Sequence, residues 1–135
     1  MAKKAYVYTG SEWVDLASST LDLSGYAPLA VTTNAQTGTT YTLVLADNGK
    51  YVEMNNASAN TLTVPPNSSV AFPVGSQVTV IQTGTGTTTI FPGTGVTINY
   101  YSPTTAGTRT LKAQWTAATL IKRASNTWVL IGNLT

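Results

Sequence analysis

The stretch "TVIQTGTGTTTIFPGTG", residues 79–95, is rich in glycine and raises the possibility of a phosphate-binding loop. A dinucleotide fingerprint needs Gly-x-Gly-x-x-Gly opening a helix, and a P-loop needs Gly-Lys-Ser/Thr. Here Gly84 and Gly86 are followed by Thr87, Thr88 and Thr89, so the third glycine and the lysine are both missing. Three successive β-branched residues also disfavour the helix whose N-terminus would hold the phosphate. The spacing fits a three-residue hairpin bend at Gly84-Thr85-Gly86, with Val80 opposite Ile90 and Ile81 opposite Thr89.

Other chemistry is sparse. The chain has no His and no Cys, which removes the commonest general base, the thiolate nucleophile and the usual zinc ligands. The carboxylates are Glu12, Asp15, Asp22, Asp47 and Glu53, and no spacing among them suggests two acids converging on a bond. Asp47 reads as the first residue of a β-turn, and "DNGKYVE" lacks the alternating oxygens of a calcium loop. No serine sits in a nucleophile elbow or a Ser-x-x-Lys signature. The expectation is a protein that is not an enzyme, with no catalytic residues, no cofactor and no metal.

Binding has more support. Tyr100, Tyr101 and Arg109 flank the longest loop, residues 101–109, and could stack on a sugar. Against this, Tyr100 could belong to the core and Tyr101 could support the loop or a subunit contact. Arg123 and Trp128 pair across the last hairpin as a surface cation–π contact.

These side chains need a β framework, and the composition supplies one. Threonine is the most frequent of the 135 residues, joined by 11 Gly and 6 Pro, and its branched Cβ suits a pleated surface. Charged residues make up 9%, against roughly 25% in ordinary globular chains. So little charge leaves little repulsion against self-association. The net charge of +2 is scattered, without the basic stripe that nucleic acid would need. No run approaches a membrane span or a signal-peptide core. The reading is a soluble product of a cytoplasm, with neither nucleic acid nor membrane as partner.

The elements follow from turns and alternation. "KKAYVYTGSEWVDLA" forms a hairpin at Gly10-Ser11, placing Tyr8 opposite Trp13 and Val7 opposite Val14. Residues 17–40 read as an extended connector. Beyond it, Asn48-Gly49 centres a hairpin pairing Leu45 with Val52 and Leu43 with Met54. "VAFPV" and "LKAQW" alternate as strands, the latter with Leu111, Ala113 and Trp115 on one face. The last hairpin turns at Ser125-Asn126, pairing Arg123 with Trp128, Ile121 with Leu130 and Leu120 with Ile131. The fold expected is all-β: an antiparallel β-sandwich or barrel-like domain of about eight strands, residues 40–135. An N-terminal hairpin and connector, residues 1–39, precede it.

The segments "KAYVYTGSEWVDL" and "LDLSGYA" resemble openings of tailed-bacteriophage virion proteins, particularly short head and tail fibres. "TYTLVLADNGKYVEMNNASANTLTVPPNSSVAFPVGSQVTVIQTGTG", "GVTIN" and "TLIKRASNTWVLIGNL" resemble a β-rich C-terminal domain of such proteins. The resemblance implies a non-enzymatic virion component, made in the host cytoplasm, that forms a homotrimeric spike, short fibre or capsid decoration (cement) protein. Its partners would be itself and other virion proteins, the major capsid protein foremost. The alternative is a tail-fibre or baseplate tip that binds host surface glycan. A hairpin this small cannot bury both apolar faces alone, so it docks either on its own β domain or on another protein. In the second case the N-terminal part would anchor through Tyr6, Tyr8, Trp13, Val14 and Leu16.

Overall fold

The computed structural model describes residues 6–8, 10–15, 31–101 and 107–135. The chain divides into two units, Met1–Ala30 and Val31–Thr135.

In the first unit β1 (Tyr6–Tyr8) and β2 (Trp13–Asp15) pair antiparallel with Tyr8 beside Trp13 and Val7 beside Val14, the expected register. Gly10 has φ +95°, the positive value needed at the first central position of a type II′ turn.

The second unit holds ten strands among its described residues: β3 (Thr33–Gln36), β4 (Thr40–Thr42), β5 (Tyr51–Met54), β6 (Asn60–Val64), β7 (Gln77–Gln82), β8 (Thr88–Pro92), β9 (Thr97–Asn99), β10 (Arg109–Thr110), β11 (Ala117–Ala124) and β12 (Thr127–Gly132). They form two mixed sheets, β10-β8-β6-β4 and β3-β5-β7-β11-β12-β9. The only helix among the described residues is one 3-10 turn, Leu45–Asp47, and among them no helix is long and apolar enough to cross a membrane.

The unit is all-β, but its sheets are not antiparallel throughout. From β3 to β8 the chain alternates between the sheets, and each return lies parallel to the strand before it: β3, β5 and β7 in one sheet, β4, β6 and β8 in the other. These are three successive windings, stacked as in a solenoid. Part of the stretch read as connector, residues 33–36, is therefore a strand of this unit.

Two expected hairpins are replaced by corners of the winding. Asn48 has φ −59° and ψ 124°, Gly49 has φ +77°, and Lys50 N–H donates to the Asp47 carbonyl at 3.0 Å. That is a type II turn, with Asp47 as its first residue as expected; a two-residue type I′ hairpin needs positive φ at both central positions. Leu43 and Val52 are buried as expected, whereas Leu45, expected inward, is 53% exposed on the 3-10 turn.

At Gly84-Thr85-Gly86 neither glycine takes a positive φ. Their missing side chains matter instead. A Cβ on Gly84 would run into the backbone of Asn56, and one on Gly86 into the carbonyl of Ser58. The corner 83–87 lies directly against the corner 55–59, with Gly84 N–H on Met54 O at 3.1 Å and Gly86 N–H on Asn56 O at 2.9 Å. Val80 and Ile90 thus sit in different sheets, both buried in the shared core.

Three further expectations are not met. The hairpin β11–β12 forms at Ser125-Asn126, but Lys122 pairs with Trp128, Ile121 with Val129 and Leu120 with Leu130. A bulge between Lys122 and Ala124 adds one residue to β11, so the pairing expected from a bulge-free hairpin is displaced by one. "LKAQW" turns rather than extending: Trp115 has φ +67° and is 70% exposed. "VAFPV" is no strand either, with Phe72 buried and Val74 exposed.

One core joins the sheets. Met54, Val80, Leu120 and Trp128 from the six-stranded sheet and Leu62, Val64 and Ile90 from the four-stranded sheet belong to a single buried cluster. Phe72 meets Trp128 edge-on at 5.4 Å between ring centroids.

Candidate functional site

Among the described residues of the second unit, polar or aromatic side chains gather at several places. The first is the opening winding. Parallel pairing sets Asn34 beside Val52 and Tyr41 beside Leu62, so two polar residues stand where the next winding has buried aliphatics. Their partner is Asp47, 1% exposed. Asp47 Oδ1 accepts from Asn34 Nδ2 at 2.7 Å, and Oδ2 accepts from Tyr41 Oη and Val44 N, both at 2.9 Å. Asn34 also donates to Tyr41 Oη at 2.8 Å, and Gln36 Nε2 donates to Asn34 Oδ1 at 2.6 Å. Burial pushes the Tyr41 hydroxyl pKa up to about 12, helped by its hydrogen bond to Asp47 and by that carboxylate's charge, while Asn34 pulls the other way. Both Asp47 oxygens are committed to this lock, which ties β3, β4 and the 3-10 turn together.

The second place is Lys122, 2% exposed. Its Nζ donates to Asn67 Oδ1 at 2.5 Å and to the Phe72 carbonyl at 2.7 Å, and lies 5.7 Å from the centre of the Trp128 ring. Burial lowers its pKa. The cation over Trp128 is thus Lys122 and not the expected Arg123, which the bulge turns out to solvent.

The third place is a groove of about 760 Å³ lined by Asn99, Tyr100, Tyr101, Arg109, Val129 and Ile131 among others. The structure thus brings together all three residues proposed as a ligand loop. Arg109 lies over Tyr100, its guanidinium carbon 3.5 Å from the ring centre, and donates to the Thr108 carbonyl at 2.7 Å. Tyr100 packs against the core, as one of the two readings had it, while Tyr101 is fully exposed.

On the N-terminal unit the anchor candidates are open. Tyr6 and Tyr8 are each 52% exposed and Trp13 is 70% exposed, with the Tyr8 and Trp13 rings 5.1 Å apart. Val14 is described there by its pairing with Val7 alone, and Leu16 lies outside the described residues, as does Asp22. Among the described residues no three His, Cys, Asp or Glu groups gather as a metal site would require.

The Asn34–Tyr41–Asp47 lock and the burial of Lys122 were not anticipated. Tyr41 between Thr40 and Thr42 carried the alternation of an inward position, but its polar partners are set by the winding. No protein-family model matches the chain, and no curated protein matches it significantly.

Proposed function

We propose that the chain is a non-enzymatic structural protein of a tailed-phage particle. In this reading it is a short homotrimeric spike, fibre or capsid decoration protein, attached through its N-terminal hairpin, with the β unit projecting as a two-layer sandwich. The observation that carries it is the hairpin itself: Tyr6, Tyr8 and Trp13 stand exposed on a two-stranded element. Aromatic side chains of this kind supply most of the energy of many interfaces.

Self-association draws support from the outer face of the six-stranded sheet. Ile81 stands beside Ala117, Ile121 beside Val129, and Thr79 beside both Tyr51 and Thr119. Glu53 is the only charged side chain in this central part of the face, set beside Ile81. An apolar sheet face meeting copies of itself about an axis removes that surface from water.

The test is incorporation into particles assembled without the native chain. Intact protein should bind them, and Trp13→Ala should fail to bind while keeping its melting temperature. Unchanged binding of Trp13→Ala, or loss of its fold, would contradict the anchoring role.

A further inference from the structure

The geometry points to a covalent amide cross-link between the side chains of Lys122 and Asn67, formed by the folded chain on itself. Lys122 follows Ala118 and Leu120 on the buried side of β11, and its Nζ lies 2.5 Å from Asn67 Oδ1. A carbonyl bond is about 1.23 Å long, so Asn67 Cγ lies no more than about 3.7 Å from Nζ. That is near the roughly 3–3.5 Å of a near-attack arrangement. Both partners are held. The Phe72 carbonyl also accepts from Nζ at 2.7 Å, and Asn67 N–H donates to Asn126 Oδ1 at 2.8 Å.

A buried ammonium is costly unless a carboxylate offsets its charge. Among the described residues no carboxylate pairs with Lys122: its Nζ meets an amide, a carbonyl and the Trp128 ring. Burial lowers its pKa, which favours the neutral amine, the form with a lone pair to attack. Holding amine and amide together replaces a bimolecular encounter with an intramolecular one.

In the reaction Nζ attacks Asn67 Cγ, and the carbonyl electron pair moves onto Oδ1 and returns to expel Nδ2. One Nζ proton ends on Nδ2, and ammonia leaves to the solvent that half-buried Asn67 adjoins. One C–N bond replaces another, and no oxidant, reductant or water is consumed. With no carboxylate to assist, the step is slow, so the freshly folded chain carries the free amine and the aged chain the amide. The link joins residues 55 apart in sequence. It ties the segment that crosses between the sheets, from β6 to β7, to the C-terminal hairpin.

The experiment is mass spectrometry of the intact folded chain as it ages at neutral pH. The aged chain should be lighter by one ammonia, and its digest should contain a branched peptide joining Lys122 to Asn67. Chain aged in denaturant, where the two residues are apart, should keep its free Lys122, as should folded Asn67→Ala. Circular dichroism checks that this variant keeps its strands, and the wild-type digest decides the matter even where it does not. An aged folded chain that yields only linear peptides would overturn the cross-link. Ammonia loss of the same extent in Asn67→Ala would also overturn it, since an imide at Asn48-Gly49 loses the same mass within a linear peptide. None of these results bears on whether Trp13 anchors the protein to a particle.

Discussion

Tyr41 lies beside Leu62 in the parallel ladder, yet its hydroxyl donates to Asp47 at 2.9 Å where Leu62 is simply buried. A stack of windings has two open ends, and in repeat architectures the terminal unit carries the polar adaptation that keeps the end soluble. Asn34, Tyr41 and Asp47 make that adaptation in the first winding. Its neighbours continue inward with Val52 and Leu62, then Val80 and Ile90.

Tyr41→Phe should cost about 1–3 kcal/mol, because Asp47 and Asn34 each lose a hydrogen-bond partner in a half-buried site. It should also change the alkaline limb of stability. The folded-state pKa of about 12 lies above the ordinary 10.0, so the folded state holds the proton more tightly. That stabilisation is fully present below pH 10 and is lost as pH rises through 12. Melting temperature against pH should fall more steeply in the wild type than in Tyr41→Phe over that window. Parallel curves would contradict the lock.

Lys122 has the opposite sign. Its pKa is lowered by burial from 10.5, so between the lowered value and 10.5 the unfolded chain binds more protons and stability rises with pH. Lys122→Met removes this rise. Subtracting the variant's stability curve from the wild type's should leave a positive slope approaching pH 10.5, and a flat difference would show that the ammonium is well solvated.

The two kinds of glycine give a contrast measurable by chemical denaturation. Gly49 has φ +77° with open space around a would-be Cβ. Gly49→Ala should therefore cost about 1–2 kcal/mol, the strain of a left-handed residue. Gly86 has no such strain, but its Cβ would enter the Ser58 carbonyl. Gly86→Ala must push two stacked corners apart and should cost about 3 kcal/mol or more. Equal costs would mean that the corners yield easily.

Aromatic truncations separate anchor from core. Trp128, 1% exposed, packs on Phe72 and under Lys122, and Trp128→Ala should cost about 3–5 kcal/mol. Trp13, 70% exposed, should change stability by no more than about 0.5 kcal/mol when truncated. Thermal melts of the two variants check both.

Much of the strand content was legible because threonine-rich alternation and turn residues report local geometry. Leu43, Val52 and Met54, grouped by the alternation around Asn48-Gly49, are all buried in the core. What the pattern could not convey is which strand a strand meets. Asn48-Gly49 suits a hairpin by composition, yet the φ of Asn48 makes a corner. Gly84 and Gly86 look like bend residues but are small because another backbone passes close by. Both are long-range facts, decided by the partner winding 28 residues or so away in register, Tyr51 to Thr79. The groove fared better: Tyr100, Tyr101 and Arg109 flank one loop in sequence, so their meeting needed only local geometry.

Sedimentation equilibrium of the intact chain at micromolar concentration is the most direct measurement of the central proposal, a self-associating structural protein. The account predicts a single species at three times the 14.1 kDa chain mass, with the outer face of the six-stranded sheet buried between copies. Ile121→Asp should dissociate it without unfolding the protomer. A stable 14.1 kDa monomer would contradict the account.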